Sequence, residues 1–125
     1  MPALEAAQQA LNSLKDSAIQ EVQNYKQYTT GVRLTLMAVM VLLGKSQSTE
    51  SIKLELAKQG FLQRLKDFDK NSITKSQQEQ LKKFYNHPDF VPRTIEKASQ
   101  PCKCICVWVL ALYEYTNVYR QVKPL

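Results

Sequence analysis

Three thiols stand at alternate positions in Gln100 to Leu110, QPCKCICVWVL, where Cys102, Cys104 and Cys106 precede the single tryptophan, Trp108. This spacing raises two chemistries, metal ligation and thiol redox. A structural zinc needs a full tetrahedron of ligands, and the one histidine, His87, stands apart in a turn before Pro88. On a helix, residues two apart point about 200° away from each other, so Cys102 and Cys106 share a face while Cys104 looks elsewhere. Read as a strand, the run would alternate cysteine with Lys103, Ile105 and Val107, but the heptad spacing that begins at Ile105 overrules this. The thiols are read as small buried hydrophobes rather than as ligands or a redox pair.

Acid–base chemistry has as little to build on. Asp67 and Asp69 sit beside Lys66 and Lys70 in a turn, where salt links or solvation account for them, and His87 is read as a turn residue. The chain has no glycine-rich phosphate loop, and no serine or cysteine is paired with His87. The expectation is a chain that is not an enzyme, with no catalytic, cofactor-binding or metal-binding residues.

The elements that would carry these groups follow from composition and periodicity. With 125 residues, 44% hydrophobic and 22% charged, and only three glycines and five prolines, the chain suits one helical domain. Seventeen Lys and Arg against eleven Asp and Glu give a net charge of +6, which favours a polyanionic partner: nucleic acid, an acidic membrane surface or an acidic protein. The longest apolar block, Val32 to Leu43, is about half the ~20 residues that a membrane span needs. Without a leading apolar run, and with an odd cysteine count, the expectation is a soluble, non-secreted protein with reduced thiols.

Both ends carry heptads. Leu4, Ala7, Leu11, Leu14 and Ala18 draw one apolar seam, leaving Gln8, Gln9, Asn12 and Ser13 outside it. Ile105, Trp108, Leu112, Tyr115, Tyr119 and Val122 keep the same alternating spacing, that of a coiled-coil seam. Isolated helices of this length are marginal in water, so each end is expected to pair with the other. The intervening chain must then fold back, which makes the pair antiparallel, and both seams read as parts of a longer stalk. A second stripe, Ile95, Ser99, Cys102, Cys106 and Val109, broadens the buried face near the head.

Between the seams, the helix continues or restarts through Ile19 and Val22 to about Tyr25, and Tyr28-Thr29-Thr30-Gly31 breaks it. VRLTLMAVMVLL, apolar on nearly every face and closed by Gly44, belongs at the centre of the core. A helix from Ser48 turns Lys53 and Lys58 outward. A short one buries Phe61, Leu65 and Phe68, and a polar one opens with a Thr74-to-Gln77 capping box and turns Leu81 and Phe84 inward. Pro92 then starts a helix that feeds the second seam. The fold class is all-α: about five or six short helices on an antiparallel two-helix coiled-coil stem. The expected boundaries are 1–18 for the first stalk segment, 19–104 for the head and 105–125 for the second stalk segment.

Six landmarks in order carry a resemblance: LLGK after the apolar helix, FDKNSI at Phe68 to Ile73, HPDFVP at His87 to Pro92, KAS at Lys97 to Ser99, Cys106 two before Trp108, and VKP at Val122 to Pro124. The whole chain resembles the stalk tip, or microtubule-binding domain, of dynein heavy chains, most closely the axonemal ones. The resemblance implies a head that docks on acidic α/β-tubulin, on a stalk whose sliding register couples affinity to the ATP state of a motor ring absent from this chain. It implies a cytoskeletal location in the cytoplasm, in a cilium or flagellum axoneme, with no nucleic-acid or membrane partner and no cofactor. Carried over by position, Lys15, Lys53, Lys58 and Lys97 match or adjoin basic family positions on three contact helices, and Lys103 is added to that face.

The chain also departs from the family pattern. The usual Asn-Pro-Pro turn is replaced around Gln27-Tyr28-Thr29, and the long flap insertion of some axonemal relatives is missing. Arg93 stands where many relatives carry an acid, and is counted as a contact. Pro101 falls where alanine is common; inside a helix it would remove a hydrogen bond and kink the path from Lys97 to Ile105, at about 3 kcal/mol. The alternative functions are a basic nucleic-acid module, which the spread of cations over several helices disfavours, and a helical adaptor for a partner helix.

Overall fold

The computed structural model of the protein describes residues 2–122, with side chains for residues 4–119. Eight α-helices and no strand are found among the described residues: α1 (Pro2–Asn12), α2 (Asp16–Gln23), α3 (Thr30–Leu43), α4 (Thr49–Ala57), α5 (Phe61–Lys66), α6 (Lys75–Tyr85), α7 (Pro92–Ala98) and α8 (Gln100–Val122). The all-α expectation holds, with six short helices between the two end helices. None of the described helices is long and apolar enough to cross a membrane.

Two cross-links set the direction of the stem. Near the tip, the Tyr25 hydroxyl donates to Ser99 Oγ at 3.0 Å; further down, Trp108 Nε1 donates to Gln8 Oε1 at 3.2 Å. Moving from 25 to 8 on one strand thus moves from 99 to 108 on the other, so α1 and α8 are antiparallel. Leu4, Ala7, Leu11, Ile105, Trp108 and Leu112 are buried, while Leu14 and Tyr115 are partly buried against the same core. Tyr115 stacks on Tyr119, 5.8 Å between ring centres. Of the expected seam, only the side chain of Val122 lies outside the described residues.

The first seam is not one continuous helix. The backbone leaves α1 at Asn12, and Lys15 is extended (φ −115°, ψ 161°) ahead of α2, so Leu14 sits in the break and Ala18 belongs to the next helix. Ser13 Oγ turns back onto the Ala10 carbonyl at 2.6 Å, and Lys66 Nζ donates to the Leu14 carbonyl at 2.9 Å. A serine competing for backbone groups weakens the helix locally, and the lysine satisfies a carbonyl freed by the break.

α3 is the central element, with Val32, Leu36, Val39 and Met40 all buried, and it ends where Gly44 adopts a left-handed φ of 70° so that Lys45 N reaches the Met40 carbonyl. At its other end Gly31 lies so close to α7 that an added Cβ would be 2.7 Å from Ile95 Cγ1. α6 carries both halves of the expected capping box: Gln77 N donates to Thr74 Oγ1 at 3.1 Å, and Thr74 N to Gln77 Oε1 at 2.8 Å. Its flank packs along α8 through Tyr85, whose hydroxyl donates to Glu114 at 2.8 Å, and through Gln78 on Asn117.

The expected kink at Pro101 is replaced by a clean break two residues earlier. Ser99 is extended (φ −161°, ψ 114°) between α7 and α8, and its Oγ accepts from Cys102 N at 3.3 Å as the cap of α8. Pro101 therefore occupies the first turn of α8, where its missing N–H has no intrahelical partner to lose.

Candidate functional site

α2 and α4 lie side by side and run in opposite directions. Asp16, Ile19 and Gln20 of α2 line a groove of about 330 Å³ with Leu56 to Leu62, whereas Tyr25 and Lys26, beyond the other end of α2, line a cleft with Thr49 and Lys53. Of the six expected contact cations, Lys58 therefore belongs to the first groove and Lys53 to the second, while Lys15 stands just ahead of α2 without a side-chain capping bond. Arg93 and Lys97 are exposed on α7, whose last residue, Ala98, lines a further cleft with Lys26. Lys103, on α8, is half-buried. The cations thus border α2, α4, α7 and the α2–α3 turn without converging on one point.

Two of these lysines are already engaged within the chain. Lys58 Nζ binds Glu55 Oε1 at 2.8 Å, and Arg64 Nη2 binds the other carboxylate oxygen at 2.9 Å. Glu55 is buried, and these hydrogen bonds, from Lys58 first and then Arg64, hold its carboxyl below the usual range against the opposing effect of burial. Lys103 pairs with Glu96 Oε2 at 2.5 Å, and that hydrogen bond raises the ammonium. The pair bridges the α7–α8 corner. Neither of these arrangements was legible in the spacing of cations alone, although Glu55 and Lys58 do stand three apart on α4.

Three further residues emerge only in the fold. Lys26 and Arg33 share the Lys53 cleft because the α2–α3 turn brings them to the start of α4. Gln8, expected outside the seam, is instead the junction of stem and head: it accepts from Trp108 and donates to the Lys66 carbonyl at 3.3 Å and to Asn12 Oδ1 at 3.1 Å. Phe68 meets Trp108 edge-on at 5.8 Å beside it. The replaced turn at Gln27-Tyr28-Thr29 is held by the Tyr25–Ser99 hydrogen bond and by Thr29, which caps α3 by accepting from Val32 N.

The cysteines are core. Cys102 and Cys106 are fully buried, and burial pushes their thiols up to about 11 and about 12, so both stay protonated and unreactive. Cys104 is half-exposed and points elsewhere. No cluster of metal-ligating side chains occurs among the described residues. His87 Nδ1 accepts from Asp89 N at 3.0 Å, closing its turn, and Asp67 and Asp69 accept from Gln63 Nε2 and Asn71 N.

A helical head on an antiparallel helix pair, with a polar junction fixing the pair, is the architecture of a stalk tip. The family model described as the microtubule-binding stalk of dynein motor matches residues 1–125, and the chain belongs to this family. Dynein axonemal heavy chain 2 of Homo sapiens is 35% identical over 124 residues, which is 99% of this chain and 3% of that protein. The dynein-1-beta heavy chain of the flagellar inner arm I1 complex of Chlamydomonas reinhardtii is 32% identical over 99% of this chain, again 3% of its own length. The chain thus spans about 3% of the length of these curated relatives. The solved structure of the microtubule-binding domain of dynein-c superposes with a TM-score of 0.83 at 35% identity, covering 98% of this chain and 88% of that one. The nucleic-acid and adaptor alternatives find no support in these likenesses.

Proposed function

We propose that this chain is the microtubule-binding head of a dynein heavy chain. Its basic tip docks on the acidic surface of α/β-tubulin, and sliding of the stem in response to the ATP state of a motor ring elsewhere in the heavy chain controls affinity. The observation that carries this reading is the distribution of cations over α2, α4, α7 and the turn between α2 and α3. The contact set is Lys15, Lys53, Lys58, Arg93, Lys97 and Lys103, and the division into 1–18, 19–104 and 105–125 separates stalk from head. The setting is the cytoskeleton of the cytoplasm, in a cilium or flagellum axoneme, and ATP hydrolysis belongs to the ring rather than to this domain.

Exposed ion pairs contribute only about 0.2–1 kcal/mol each, so several must act together and salt must weaken them. Cosedimentation with microtubules at low and moderate salt tests the reading. Pelleting at low salt that declines as salt rises is expected, and Lys58→Glu or Lys97→Glu should weaken it with the fold intact. Failure to pellet at low salt, with the stem cross-linked in each heptad register in turn, would sink the proposal.

A further inference from the structure

The stretch from Lys66, the last residue of α5, to Asn71 touches both sides of the stem. Toward α1, the Lys66 carbonyl accepts from Gln8 Nε2 at 3.3 Å, and Lys66 Nζ donates to the carbonyl of Leu14, in the break after α1, at 2.9 Å. Toward α8, Phe68 meets Trp108 edge-on, Lys70 Nζ lies 5.1 Å from the centre of the Tyr115 ring, and the Tyr115 hydroxyl donates to Asn71 Oδ1 at 2.7 Å. The segment is a strap across the stem, and its two ends grip differently.

The α8 contacts are mostly ring faces and edges, spread from Trp108 to Tyr115. The α1 contacts are two hydrogen bonds to atoms of one residue, and such bonds are lost beyond about 3.5 Å. A slide of α1 along α8 by one turn, about 5.4 Å, breaks both. Lys66 then has no equivalent seat one turn back, because the carbonyls of Gln9, Ala10 and Leu11 already accept from Ser13 N, Ser13 Oγ and Leu14 N. Its ammonium is half-buried and forms no ion pair among the described residues, so the Leu14 carbonyl is what holds it.

The other end of α5 is anchored on α4. Leu62 and Leu65 are buried, and Arg64 binds Glu55 Oε2, while the other oxygen of that carboxylate holds Lys58. A route therefore runs from α1 through Lys66, Arg64 and Glu55 to Lys58 without passing through α2, α7 or Pro101. Coupling between distant sites needs an element with two arrangements that both sites bias; Lys66 seated on Leu14 and Lys66 unseated are such a pair.

We infer that Lys66 is a positioning residue: it senses where α1 stands against α8 and passes that position through α5 to the Glu55–Lys58 pair on α4. The inference rests on the microtubule-binding reading above and names a route by which stem register reaches one contact cation. In the present register α5 and its strap are fixed to both sides of the stem. With α1 moved by a turn, the strap is held by α8 alone, and Arg64 shifts against Glu55.

The test locks the stem by engineered disulfides in two registers, the present one and one with α1 moved by a turn, in the wild-type chain and in its Lys66→Met and Lys66→Arg variants. Methionine keeps the apolar length of the side chain and removes the donor, whereas arginine keeps a donor. Cosedimentation gives the affinity ratio between registers, and hydrogen exchange of the α4 amides, without microtubules, gives a second comparison. Wild type should show an affinity ratio of about fivefold or more, the low end of coupling between linked sites, and faster α4 exchange in the moved register. Lys66→Met should lose most of both differences, and Lys66→Arg should restore them. A lysine with a merely structural role would shift both registers alike and leave the two differences intact in Lys66→Met, which overturns the inference. So does a wild type that binds microtubules but lacks either difference. If wild type binds no microtubules in either register, the functional reading fails, and the exchange arm still decides whether Lys66 passes register to α4.

Discussion

Gly31→Ala isolates one packing distance on which the position of a contact helix depends. The new Cβ would stand 2.7 Å from Ile95 Cγ1 and 3.3 Å from the Asp89 carbonyl oxygen, whereas carbon pairs settle at about 3.5–4.0 Å. Ile95 is fully buried on α7, and its β-branched side chain is stiff at χ1. α7 must therefore retreat by about 1 Å, taking Arg93 and Lys97 with it. Overpacking of this kind costs about 1–3 kcal/mol, while replacing a helical glycine returns about 0.5–1 kcal/mol. The steric effect wins, for a net loss of about 0.5–2 kcal/mol in urea denaturation, and microtubule affinity should fall several-fold beyond what unfolding explains. On an Ile95→Ala background the clash is gone, and the same change should become neutral or slightly stabilising. If Gly31→Ala stabilises the wild-type chain, α3 and α7 do not meet at this distance and the reasoning is refuted.

Three other perturbations address separate parts of the structure. Glu55→Gln removes the anion shared by Lys58 and Arg64 and should cost about 1–2 kcal/mol, since both partners remain half in solvent. Because the Glu55 carboxyl is held below its usual range, its contribution is full above the unfolded value and fades as pH falls through the folded one; the mutant's deficit should therefore shrink in acid denaturation curves below about pH 4. Arg93→Glu restores an acid on α7 and should lower microtubule pelleting, most visibly at low salt, so an unchanged midpoint would contradict the placement of Arg93 on the contact face. A double-mutant cycle of Gln8→Leu and Trp108→Phe should give a coupling of about 0.5–1.5 kcal/mol by chemical denaturation, and additive effects would deny the hydrogen bond a role in fixing α1 against α8.

The parts of the fold that sequence made legible are those fixed by neighbours in the chain. The Thr74–Gln77 capping box, the left-handed Gly44 and the apolar circumference of α3 each need only a local reason, and each is realised. The breaks at Ser13 to Lys15 and at Ser99 depend on remote partners. Lys66 reaches the Leu14 carbonyl from 52 residues away, and Tyr25 reaches Ser99 from 74. Periodicity carries through both points, which is why the first seam read as unbroken and Pro101 as a kink. The same limit applies to the site. Lys53 and Lys58 are visible as outward cations on α4, but that one shares a cleft with Lys26 and Arg33 while the other is held by a buried glutamate follows only from how α2, α3, α4 and α5 pack.

The three thiols of α8 give the molecule an internal clock. Cys104 is partly exposed, whereas Cys102 and Cys106 are sealed and held protonated. Alkylation of the sealed pair must wait for α8 to part from its neighbours, so its rate counts those openings. Mass spectrometry of singly and multiply labelled chains would time how often the helix joining stem to head comes loose, with no probe added to the sequence.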